Sequence, residues 1–81
     1  MSQLTDPDQK RQMMQRLARV EGQLRGVQKQ ISEEQDCELI AQQLSAARKA
    51  LDKAFFHMVA CMLEHGRLPP KDVAHMLAKF S

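Results

Sequence analysis

The chain has no tryptophan and no tyrosine, and only three phenylalanines, three glycines, three prolines and two cysteines among its 81 residues. Without large aromatic side chains a chain this short builds only a thin core, which makes oligomerisation the expected remedy. Long apolar runs are missing too. The longest stretch without a charge, residues 54–63, has ten residues, far short of the roughly 20 that a spanning helix needs. No basic start followed by an apolar run and a small-residue cleavage site is present, so a cytoplasmic location is expected, with no membrane partner. What is there is 43% hydrophobic and 27% charged, too apolar for a disordered tail and long enough for a single domain over 1–81.

The few prolines and glycines divide the chain into three segments. Thr5 or Asp6 can cap a first helix, with Pro7 in its first turn, where a missing N–H does no harm. Met13, Leu17, Val20, Leu24, Val27 and Ile31 then follow at spacings of four and three, a coiled-coil-like seam that predicts a helix over 7–31. Residues 32–36 are acidic and rich in capping types. A second seam of Ile40, Leu44, Ala47, Leu51, Ala54 or Phe55, Met58 and Met62 predicts a helix over 37–65, stopped by Gly66. Pro69 and Pro70 break the chain, and Val73, Met76, Leu77 and Phe80 predict a short helix over 70–80. No segment alternates as a strand does. The expected fold class is all-α: two long helices in a hairpin plus a short third, paired into an antiparallel four-helix-bundle dimer. Gly22 and Gly26, one turn apart, predict a close helix approach, since each weakens an exposed helix by about 1 kcal/mol.

The net charge of +2 hides a division. Residues 1–30 carry six Lys/Arg against three acids, residues 31–47 carry four acids and no base, and residues 48–81 return to six against three. Arg16 and Arg19 share a face of the first helix, and Arg48, Lys49 and Lys53 form a second basic group. On an isolated helix such charges are ordinary solvated surface; multiplied by symmetry they become a basic face able to track phosphates. No helix-turn-helix of short helices, zinc finger or aromatic RNA platform is recognisable, so any nucleic-acid contact has to use a helical face.

Cys37 follows Asp36 at the start of the second helix, where open N–H groups and the helix dipole favour a thiolate. His57, Cys61 and His65 step by four along the same helix, so they share a face on which a metal can be held; a small cysteine among Met58, Val59, Met62 and Leu63 is equally at home in a core. Twenty-four residues of helix separate the two cysteines by about 36 Å. They cannot meet within a subunit, but in two antiparallel second helices crossing near Lys49 the Cys37 of one chain comes opposite Cys61 of the other. Such a thiol pair suits Cu(I), another thiophilic metal, or oxidative and sulfur chemistry.

The run Arg16-Leu-Ala-Arg-Val-Glu-Gly-Gln-Leu-Arg-Gly-Val27, then Asp36-Cys37, then Gln43-Leu-Ser-Ala-Ala-Arg-Lys-Ala-Leu51 resembles the copper-sensitive operon repressor family, whose members sense copper, nickel or cobalt, formaldehyde and persulfides. The resemblance covers residues 10–65. It implies an all-helical repressor, dimeric and commonly a dimer of dimers, that holds double-stranded operator DNA until an effector binds. It implies DNA contact at Arg16, Arg19 and Arg48, with Lys49 beside them, and an effector site in which Cys37 is contributed across the dimer interface. The remaining ligand positions depart from the family pattern. Its metal sensors place a His 25 residues after this Cys and a His or Cys four later, which are Met62 and Gly66 here; its persulfide sensors place a second Cys at the position of Gly66. Cys61 and His65 have the right mutual spacing one residue early, a rotation of about 100° that a π-bulge, a deletion or a different dimer offset would correct.

The leading expectation is a repressor released by a thiophilic ion such as Cu(I), held by Cys37 with Cys61, His65 and His57. One alternative keeps the repressor and lets a persulfide or oxidant cross-link Cys37 to Cys61 between subunits. Another is a helical metal-buffering or interaction protein that never touches DNA. An enzyme is not expected, since no activated nucleophile, acid/base pair or phosphate-binding loop is recognisable.

Overall fold

Asp6 opens the first helix by accepting two of its free amides: Oδ1 takes the N–H of Asp8 at 2.9 Å and of Gln9 at 3.2 Å. Pro7 follows at the first helical position. Of the two expected caps, Asp6 and not Thr5 fills the role. The computed structural model describes residues 3–64 and 69–80. They form three α-helices, α1 (Pro7–Ser32), α2 (Cys37–Glu64) and α3 (Pro70–Phe80), and the described residues include no strand. The all-helical class and the pattern of two long helices and one short one are as expected. His65 and the expected stop at Gly66 lie outside the described residues.

Residues 33–36 end one helix and begin the next. Glu34 has φ 57°, in the left-handed region that usually selects glycine. Its N–H donates to the Ile31 carbonyl, and the Gln35 N–H to the Gln30 carbonyl, both at 3.0 Å. This pair of bonds is a Schellman ending. Asp36 then caps α2, its Oδ2 accepting the N–H groups of Glu38 at 3.1 Å and Leu39 at 3.3 Å. So tight a connection sends α2 back along α1. At the far end, Gln9 Nε2 donates to Glu64 Oε2 at 2.9 Å, tying the start of α1 to the end of α2.

Among the described residues, no buried side chain is larger than valine. Val20 and Val27 on α1, Ala47, Ala54, Val59 and Cys61 on α2, and Val73 on α3 make up the buried core. The large apolar residues lie outside it. The seam expected on α1 splits: Val20 and Val27 turn inward, while Leu17, Leu24 and Ile31, also seven apart, are left 38%, 44% and 57% exposed. On α2, Ala47, Ala54 and Cys61 share the inward register, while Leu44 and Leu51 are nearly half exposed. A seam built on alternating spacings of three and four is wide enough for two neighbours, and one antiparallel helix covers only half of it.

The molecule measures 47 × 28 × 16 Å, with a radius of gyration of 15.9 Å. A compact chain of this length has about 12 Å, so the hairpin is a single layer of helices with no second layer over Leu17, Leu24, Ile31 and Leu44. α3 packs on α2 and not on α1, and its Leu77 and Phe80 enclose an apolar recess with Leu51, Phe55 and Phe56.

Two expectations are corrected. Gly22 and Gly26 are exposed, and a Cβ built on either meets nothing within 4 Å, so they serve no close approach inside the chain. α2 is α-helical without interruption from Cys37 to Glu64, so no π-bulge rotates Cys61 into the family's ligand register. Among the described residues, no helix is long and apolar enough to cross a membrane.

Candidate functional site

Two antiparallel helices in one layer have two long edges, and the side chains here give the edges opposite chemistry. On one, Leu24 and Val27 of α1 meet Leu44 of α2 around a shallow depression flanked by Glu21, Arg25 and Gln28. On the other, Arg16, Arg19 and Gln23 of α1 face Lys49 and Lys53 of α2 across a cleft of about 340 Å³. Ala46 and Ala50, one turn apart, complete its lining; their short side chains leave the hollow open. A smaller recess lined by Gln12, Gln15, Arg16 and Arg19 lies along the same side of α1.

The cleft holds four cations and no acid in its lining. The ion pairs found among the described residues are Arg11 with Asp8 and Lys29 with Glu33, so none of the four is neutralised by a carboxylate there. Like charges so gathered repel, and an anion entering the cleft relieves that repulsion.

Of the expected DNA contacts, Arg16, Arg19 and Lys49 line the cleft, and Arg48 does not. Arg48 stands four residues after Leu44 and three before Leu51, which puts it beside the uncovered leucines. Lys53, from the second basic group, lines the cleft with Arg16, Arg19 and Lys49, and so does Gln23, which is not among the expected contacts. The spacing Ala46, Lys49, Ala50, Lys53 is one helical stripe, and that pattern is the sequence signal which places Lys53 with Lys49.

The candidate effector residues are not gathered in one place. Cys37 is the first residue of α2 and exposed. The amides of Glu38 and Leu39, expected to be open toward its sulfur, are taken by the Asp36 carboxylate. Cys61, near the other end of α2, is only 2% exposed. It continues the register of Ala47 and Ala54 between the helices, whereas Cys37 continues that of Leu44 and Leu51 on the uncovered side. His57, one turn before Cys61, is half-buried, and its Nε2 is buried without a hydrogen-bond partner among the described residues. His65 lies outside the described residues. Met62, at the first of the family's missing ligand positions, is half-buried.

Among the described residues, no three of His, Cys, Asp and Glu are grouped so that they could hold a metal ion. His57 and Cys61 are an imidazole and a sulfur one turn apart on α2, both suited to a soft or borderline ion. They are two donors, and the exposed Cys37 is on the same helix but about 36 Å away, so a set containing all three requires a second chain.

The family model for metal-sensitive transcriptional repressors matches residues 9–78. Comparisons with curated proteins and with solved structures give no match. The match takes in all of α2, most of α1 and most of α3, including the cleft, the leucine edge and both cysteines, and the chain belongs to the metal-sensitive transcriptional repressor family.

Proposed function

We propose that this protein is a cytoplasmic repressor that pairs through its leucine edge, binds double-stranded operator DNA through its basic edge, and leaves the DNA when a thiophilic ion such as Cu(I) occupies a cysteine site shared between subunits. The observation that carries this reading is the opposite chemistry of the two edges. Pairing hairpins through Leu17, Leu24, Ile31, Leu44 and Leu51 supplies the missing second layer, at about 1 kcal/mol for each side chain, since each is already about half buried, and leaves the cations of both chains facing outward. A dimer, or a dimer of dimers, then repeats Arg16, Arg19 and Lys49 along a duplex, with Arg48 beside the subunit boundary.

The ion supplies a soft centre for sulfur. Cys37 of one chain with Cys61 of another, helped by His57 and His65, would hold it. Cys37 is accessible for this role in the resting hairpin. Cys61 is not: to share a ligand with another chain, its side chain has to leave the seam between α1 and α2. The cleft cations are carried by those same two helices, so the movement that frees Cys61 also changes how Arg16 and Arg19 stand relative to Lys49. Effector binding and DNA binding thereby compete for the packing of one helix pair.

The test is fluorescence anisotropy with the reduced protein and DNA from upstream of its own gene, titrated in parallel with Cu(I), Ni(II), Zn(II), formaldehyde and polysulfide. Tight binding at low salt and release by Cu(I) are expected. Release by polysulfide alone, with a reductant-reversible cross-linked dimer, replaces the ion by sulfur chemistry at the same two cysteines. No binding to that DNA sinks the repressor reading.

A further inference from the structure

We propose that the cleft between α1 and α2 is a discrete seat for one tetrahedral oxyanion, filled in the complex by a single phosphate group of the DNA backbone, with Lys53 and Gln23 belonging to it. This rests on the DNA-binding reading above and makes it more specific: the four cations act as a shaped pocket and not as a diffuse basic surface.

Three observations carry the proposal. The cationic residues come from both helices, two arginines from α1 and two lysines from α2, and line one space between the elements. Guanidinium forks match the oxygens of a phosphate in pairs, and lysines add point charges. Gln23, on the same side of α1 as Arg16 and Arg19, adds an uncharged amide donor. The hollow is real space: about 340 Å³ is the room of roughly ten waters, enough for a phosphate group with part of its hydration shell. It exists because Ala46 and Ala50 are small, so the shape of the cleft, as well as its charge, is written into α2.

That last point separates a seat from a charged patch. Ala46→Leu fills the hollow and leaves every cation in place, whereas Lys53→Gln removes one charge and leaves the hollow open. Both positions are exposed, so the fold is expected to persist, and thermal melts of each variant check this.

The experiment measures binding of the wild type and both variants to the upstream DNA over a series of chloride concentrations, and repeats each titration with inorganic phosphate replacing chloride at equal ionic strength. For Lys53→Gln the proposal expects about tenfold weaker binding and a salt slope reduced by about 1 per bound protomer. For Ala46→Leu it expects a comparable loss. Inorganic phosphate should displace DNA from the wild type more effectively than chloride does, and lose that advantage in Ala46→Leu.

If Lys53→Gln weakens binding while Ala46→Leu behaves as wild type, the cations form a diffuse surface and the seat is overturned. If neither variant affects DNA binding, yet inorganic phosphate still binds the wild-type protein and not Ala46→Leu, the seat serves a free oxyanion and its assignment to DNA is overturned. Failure of the wild type itself to bind the DNA at low salt is a different result, which removes the repressor reading on which the seat depends.

Discussion

Cys37 and Cys61 stand near opposite ends of one uninterrupted helix, the first exposed and the second 2% exposed in the seam beneath α1. A site that uses both has to be assembled from two chains. Mixed subunits test this directly. Cys37→Ala and Cys61→Ala homodimers are each expected to lose DNA release by Cu(I), because every site lacks one sulfur. A heterodimer of the two variants keeps one intact pair, Cys61 of one chain with Cys37 of the other, and should recover half of the high-affinity Cu(I) stoichiometry. Recovery of none would mean that the two sulfurs do not act together across subunits.

The turn between the long helices offers a second measurement. Glu34 holds a left-handed backbone conformation at φ 57°, where a side chain costs about 1–2 kcal/mol and glycine costs nothing. Its N–H already completes the Schellman pair with Ile31, and glycine keeps that bond. After allowing for the greater freedom of glycine in the unfolded chain, Glu34→Gly is expected to stabilise the protein by about 0.5–1 kcal/mol. Urea denaturation would show this as a higher midpoint with an unchanged slope. A lower midpoint would mean that the carboxylate has a role in the turn beyond its backbone.

Gly22 and Gly26 give the opposite kind of prediction. With open space where a Cβ would stand, Gly22→Ala and Gly26→Ala should each stabilise the hairpin by up to about 1 kcal/mol through helix propensity alone. If the bare strip they make beside Arg19 is used by the DNA backbone, the same variants will bind the upstream DNA more weakly while melting at a higher temperature. A rise in stability with unchanged DNA affinity would show that the strip is simply exposed.

These glycines show where the sequence is legible and where it is not. The helices were readable because their signals are local: Asp6 and Pro7 at one start, Asp36 before Cys37 at the next, and apolar residues at intervals of three and four. The division of each seam was not readable. Val20 and Leu24 have the same pattern and nearly the same chemistry, and only the path of α2 across α1 decides that valine turns inward and leucine outward. The glycine reading failed for a related reason: a residue without a side chain registers an approach but not which molecule makes it. At the candidate site, the charges of Arg16, Arg19, Lys49 and Lys53 are legible in the sequence, and Gln23 is not, since an uncharged polar side chain on an exposed helix gives no signal. Cys61 was legible as a core residue, as its burial between the helices shows; the proposed ligand role would begin only with a second chain.

The uncovered leucines lead to the last prediction. Leu24 and Leu44 line the same depression, and each is more than 40% exposed. If a second hairpin covers them, the wild type will sediment as a dimer or larger, and Leu24→Glu or Leu51→Glu will place a carboxylate in an apolar interface with no partner, at a cost of several kcal/mol per dimer. The variants should sediment as monomers at micromolar concentration. They should also melt at lower temperature, and the melting temperature should no longer depend on protein concentration, because the linkage between folding and association is gone. DNA binding should fall with them, since the two basic clefts are then no longer held at a fixed spacing. Gln15→Glu is the control, for Gln15 is exposed and lines the recess on the basic side of α1; it should leave the sedimentation unchanged. A wild type that sediments as a monomer, or leucine variants that assemble as before, would remove this face as the subunit interface, and with it the geometry that brings Cys37 toward Cys61.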